Sequence, residues 1–131
     1  MMTGIEINKY IKNWLHGDAV LQQKVGVQNM KPLVLSPTSY PFISWTHDEI
    51  IPEYTKDGCI VDHVDEIIAI VSNDYEEAVE IAAEVRKLLE YQKFENSDVY
   101  IPDITVSSIT EDMYKDAYLL QIVFSFDLHS K

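Results

Sequence analysis

The stretch "DAYLLQIVFSFDLH", residues 116–129, leaves the chain little choice of fold. Tyr118, Leu120, Ile122, Phe124, Phe126 and Leu128 alternate with Leu119, Gln121, Val123, Ser125, Asp127 and His129. A period of two sends successive side chains to opposite faces of a sheet. Six inward positions in a row therefore predict one long strand against a core, with a partly wet back.

"SNDYEEAVEIAAEVRKLLE", residues 72–90, is specified as clearly, but as a helix. Ala78, Ile81, Ala82, Val85, Leu88 and Leu89 form its apolar face, and Glu76, Glu80, Glu84 and Lys87 its wet one. Asn73 or Asp74 suits the N-cap, with Glu76 or Glu77 as capping-box partner. Acids at its start and Arg86 and Lys87 near its end complement the helix dipole. No group on it does chemistry.

The remaining segments fill in around these two. Ile7, Tyr10, Ile11 and Trp14 recur at helical spacing, and Gly17 ends that stripe. Asp18 is a suitable cap for a second short turn, "AVLQQKV", with Val20, Leu21 and Val25 inward. Pro32, Pro37 and Pro41 break any helix between them, leaving "LVL" as an edge or irregular strand and "FISWT" as a firmer one. Residues 48–58, "DEIIPEYTKDG", are expected to be a long acidic loop. Within "CIVDHVDEIIAIVS", Ile67 to Val71 is apolar on both faces, so that strand needs cover on two sides, one of which a neighbouring subunit could give. Ile104, Val106 and Ser108 share a face of another strand, and "EDMYKD" connects it to the last one. The expected class is α+β: an antiparallel or mixed β-sheet with an amphipathic helix packed on one face and short N-terminal helices. The organisation is a single domain over 1–131, with the N-terminal helices at about 5–25 and the sheet-plus-helix core at about 32–129.

Charge narrows the function. The net is −12 over 131 residues, yet residues 1–31 carry Lys9, Lys12, Lys24 and Lys31 against Glu6 and Asp18, a local excess of +2. An acidic surface repels phosphate, which argues against nucleic-acid binding through counterion release. A basic end could instead meet the acidic end of the next copy. No run approaches the roughly 18 apolar residues of a membrane span, and "MMTGIEINKY" lacks the pattern of a signal peptide. One cysteine, Cys59, cannot close an internal disulfide, which points to a reducing compartment.

Candidate chemistry is thin. On a strand, Cys59 and His63 would stand about 13 Å apart, beyond hydrogen-bond reach, so Cys59 reads as a packed thiol. His47, Asp48, Asp62, His63, Asp65 and Glu66 could converge if their strands pair, and this is the one conceivable metal site. No HExxH, calcium-loop ladder, GxSxG elbow or phosphate-binding glycine loop accompanies it. Trp14 and Trp45 sit in apolar patterns suited to a core or interface. Ile50, Ile51 and Tyr54, apolar groups amid charges, call for a partner surface or for folding back onto their own sheet.

Taken together, "YPFISW", "IAIVSNDYEEAVEIAAEVRKLLE" and "ITVSSITEDMYKDAYLLQIVFSFDL" resemble the small tail-completion (tail-terminator, head–tail joining) proteins of long-tailed bacteriophages and prophages. The likeness covers most of the chain. It is strongest at Pro41 and Phe42, at Ser72 to Ala78, and at the "SITED" turn, Ser108 to Asp112. It implies a structural protein with no enzymatic activity and no cofactor. Its place would be the virion tail, and the host cytoplasm during assembly. The partners implied are further copies of itself in a ring, commonly a hexamer, together with the tail tube protein and the head–tail connector protein. The segment 48–58 departs from that pattern. Interface candidates are Ile50, Ile51, Tyr54 and Ile67, with Lys9 and Lys12 on the basic end. Two other classes fit the residues less well: a ligand-sensing or regulatory α+β binding module, and a metal-dependent enzyme using His47, Asp62, His63 and Asp65.

Overall fold

The last strand is the axis of the sheet. In the computed structural model, which describes residues 4–33, 39–56 and 58–130, it spans Ala117–Ser130 as β7. Before it come α1 (Ile7–His16), α2 (Ala19–Lys24), β1 (Met30–Pro32), β2 (Phe42–Thr55) and β3 (Gly58–Ser72). Then follow α3 (Tyr75–Leu89), β4 (Phe94–Glu95), β5 (Val99–Ile101) and β6 (Ile104–Tyr114). The seven strands make one curled sheet in the order β1-β2-β3-β7-β5-β4, with β6 also paired to β7. Only β1 and β2 run parallel, so the sheet is mixed.

Register explains which side chains meet. Val64, Glu66, Ile68 and Ile70 of β3 lie opposite Phe126, Phe124, Ile122 and Leu120 of β7. Trp45 and Ile43 of β2 continue the rungs of Ile68 and Ile70. All of these are buried, and over them lie Ile7, Ile11 and Leu15 of α1 and Ala78, Ile81, Ala82, Val85 and Leu89 of α3. Leu88 and Trp14 are half-buried at the margin of this core. The predicted alternation of β7 is therefore found, with Tyr118 half-covered at its outer end.

The helix starts are made by short side-chain bonds. Asp18 accepts from the Leu21 amide, capping α2. Asp74 accepts from the Glu76 amide at the start of α3. Glu77 does not close the expected capping box; it accepts from the Ser72 hydroxyl, which in turn accepts from the Asp74 amide.

Several expectations need correction. Residues 48–58 are not a loop: β2 and β3 form one long hairpin that closes at the Thr55–Gly58 pair, with Gly58 at φ 117, a conformation that favours glycine. Pro52 is tolerated because it lies beyond β1, where β2 is an edge strand among the described residues. The first strand is Met30–Pro32, not "LVL"; Leu33 turns away at φ 53, and residues 34 and 35 lie outside those described. Val20 is exposed, since the stripe of so short a helix buries only Leu21. "EDMYKD" is mostly strand, and the turn lies at Lys115 and Asp116. A register shift between Val106 and Ser108 moves Ser108 to the face opposite Ile104 and Val106. The segment after α3 supplies two short strands, β4 and β5. The Cys59 side chain is outside the described residues.

Candidate functional site

Period-two alternation divides the middle of the molecule into two chemistries. On the helix-covered face, Glu66 is only 1% exposed, and His47 lies directly opposite it. The His47 Nδ1 stands 2.5 Å from Glu66 Oε2, without the alignment of a hydrogen bond, so both Glu66 oxygens lack a hydrogen-bonding partner. Burial pushes the Glu66 carboxyl up to about 8. The other His47 nitrogen, Nε2, lies 3.4 Å from the Ile5 carbonyl. An acid neutral at neutral pH and walled by Trp14, Ile68, Phe124 and Phe126 has no access for a substrate.

On the other face, His63 bridges two acids: Nδ1 lies 2.5 Å from Asp127 and Nε2 2.9 Å from Glu53. The bond to Asp127, and then that to Glu53, raise the imidazole above its ordinary value. Beside it, the Ser125 hydroxyl donates to Asp65 at 2.6 Å. The six residues weighed as a metal cluster thus do not converge. His47 and Glu66 face the core, while His63 and Asp65 face away from it. Among the described residues, no three His, Cys, Asp or Glu are disposed to hold a metal. The arrangement ties β3 to β2 and to β7.

What the fold offers instead is surface. Ile67, Ala69, Gln121 and Val123 are half-exposed on the face away from the helices. The strand expected to be dry on both sides is therefore dry on one. At the end of this face Phe42, Val71 and Ala117 form a small buried cluster of their own, with the partly buried Leu119 against it. Strand borders are left unpaired among the described residues on both sides of the sheet: β1 and the Glu49–Thr55 part of β2 on one, and the outer sides of β4 and β6 on the other.

The interface candidates divide accordingly. Ile51 is 51% exposed and Tyr54 69%, both on the β2 arm of the hairpin, whereas Ile50 packs partly against the chain's own core. Ile67 sits mid-face between Thr46 and Val123. Lys9 and Lys12 are exposed on α1, while Lys24 is engaged by Glu80 at 2.8 Å within the chain.

Two features were missed. One is the burial of Glu66, although its parity with Val64, Ile68 and Ile70 could have revealed it. The other is a cleft of about 350 Å³ between the ends of α1 and α3 and strand β4. Its aromatic wall is Trp14 and Phe94, whose rings meet edge-on with centroids 5.5 Å apart. Phe94 lies on a two-residue strand that leaves no periodic signal.

No helix is long and apolar enough to cross a membrane, among the described residues. The sequence model of the family described as "Tail completion protein gp17" matches residues 9–129. No curated protein sequence matches the chain. Among solved structures, a chain of the "Virion of native gene transfer agent (GTA) particle" is similar in fold, with a TM-score of 0.78 over 91% of each chain at 18% identity.

Proposed function

The chain belongs to the tail completion protein gp17 family of structural, non-enzymatic phage proteins, and from that premise we propose that it caps the tail tube as a closed ring and joins it to the head connector. The observation that carries this reading is the pair of unlike strand borders flanking a sheet with one open face. A ring needs one heterologous contact repeated to closure, and hence two different complementary borders on each copy. The β2 border bears Glu49, Glu53 and Pro52; the β6 border bears serine, threonine and Ile109. Unpaired strands are templates for pairing with another chain, and each border here invites a different neighbour.

The open face, with the half-exposed Ile67 and Val123, supplies apolar area for the tube or connector to bury. A net charge of −12 suits a particle through which DNA passes, because an acidic surface offers DNA no counterions to release. Its working place is then the virion tail, reached from the host cytoplasm. Sedimentation and light scattering at tens of micromolar, with the protein alone and with tail tube protein added, test the reading. A discrete closed oligomer is expected in at least the second condition. A monomer in both would overturn the ring.

A further inference from the structure

One rung crosses five strands. Glu53 of β2 pairs with Val61 of β3, Val61 with His129 of β7, His129 with Tyr100 of β5, and Tyr100 with Glu95 of β4. At that level the sheet is bounded by β2 on one side and β4 on the other. The residue after Glu53 is Tyr54, the most exposed large side chain of the hairpin. The residue before Glu95 is Phe94, a wall of the α1–α3 cleft. An exposed aromatic and an open cleft thus occupy opposite borders of the same sheet at nearly the same height. Copies set border to border in the same sense, as a heterologous contact requires, bring the two together.

The chemistry of the two sides matches. The cleft has an apolar floor of Trp14, Leu88 and Phe94 and a polar rim of Asn13 and Gln92. That suits a tyrosine, with its apolar ring and hydroxyl tip. The rim also bears Lys93, and Lys9 lies one helical turn from Asn13 on α1. The carboxylate of Asp18, the acid in the cleft lining, is already engaged by the Leu21 amide. Against these lysines the β2 arm carries Asp48 and Glu49, while Glu53 is engaged by His63 within its own chain. We propose that Tyr54 of one copy seats in the α1–α3 cleft of the next, with the acidic β2 arm facing Lys9 and Lys93. This contact rests on the ring reading and specifies where one copy grips its neighbour.

The test uses the full chain with a photoreactive benzoylphenylalanine in place of Tyr54, irradiated under conditions where the oligomer forms. Mass spectrometry should locate intermolecular adducts on the peptides holding Trp14, Leu88 or Phe94. Tyr54→Ala, an exposed site whose change leaves the folded monomer intact, should weaken self-association about 30-fold or more, as truncating an aromatic anchor does. Leu88→Glu should abolish the adduct, with the thermal melt reporting whether the fold survives. An oligomer that forms normally with Tyr54→Ala, or adducts found on another surface or on the tube protein, overturns the contact and leaves the ring standing. Absence of any oligomer with or without tube protein overturns both.

Discussion

Ile67 and Ile68 are the same residue on the same strand, one peptide bond apart. Ile68 is fully enclosed between β2, β7 and the helices, while Ile67 is half-exposed on the other side of β3. The contrast extends over the whole sheet. One face carries a continuous core from α1 through α3 to β6 and β7; the opposite face carries polar pairs and a small buried cluster, with no helix over it among the described residues. Stability and surface are thereby separated by side-chain parity, and each can be probed without the other.

The largest effect tests that separation directly. Ile68→Ala should cost about 2–5 kcal/mol, since a cavity forms in a closed core, whereas Ile67→Ala should cost about 1 kcal/mol or less, because solvent already reaches the site. Urea denaturation of both variants measures the difference. Equal losses would show that the open face is as much a part of the core as the covered one.

The next effect compares the titratable groups on the two faces. Glu66 holds its proton up to about pH 8 in the folded chain but loses it near 4.5 when unfolded. Between those values the folded state binds the extra proton, so stability falls as pH rises through the window. Glu66→Gln should flatten that decline, giving a variant-minus-parent difference that grows by about 2–4 kcal/mol between pH 5 and pH 8. A pH profile unchanged by the substitution would place Glu66 in contact with water.

The smallest effect belongs to His63, on the open face. Asp127 and then Glu53 hold its proton above the ordinary 6.5, so its contribution is complete below that value and is lost as pH rises through the raised one. Solvent screens the cluster, and the contribution should stay under about 1 kcal/mol. Titration by NMR should find a His63 midpoint above 6.5 that drops in Asp127→Asn. A midpoint indifferent to Asp127 would mean that the bridge is not formed in solution.

What could be read in advance follows the same division. Strand β7 and helix α3 were legible nearly residue by residue, because burial on one side only writes a period into the sequence. The outer half of the β2–β3 hairpin was not. From Asp48 to Tyr54 all of its residues but Ile50 are exposed along a free border, so little selected an apolar alternation there, and Pro52 is a residue that only an edge position allows. Strands of two and three residues, such as β4 and β5, are too short to show a period. The bulge between Val106 and Ser108 depends on how two strands twist past each other, which neither segment encodes alone. The exposed Ile51 and Tyr54 were legible as residues, but the cleft was not, because it joins α1, α3 and β4 from distant parts of the chain.

The continuous core beneath α1 and α3 is closed by this polypeptide's own segments. A newly made chain can therefore reach its native shape while dilute, at a rate indifferent to how many siblings surround it. The association proposed above is then a later, concentration-driven step, and the two events can be timed independently.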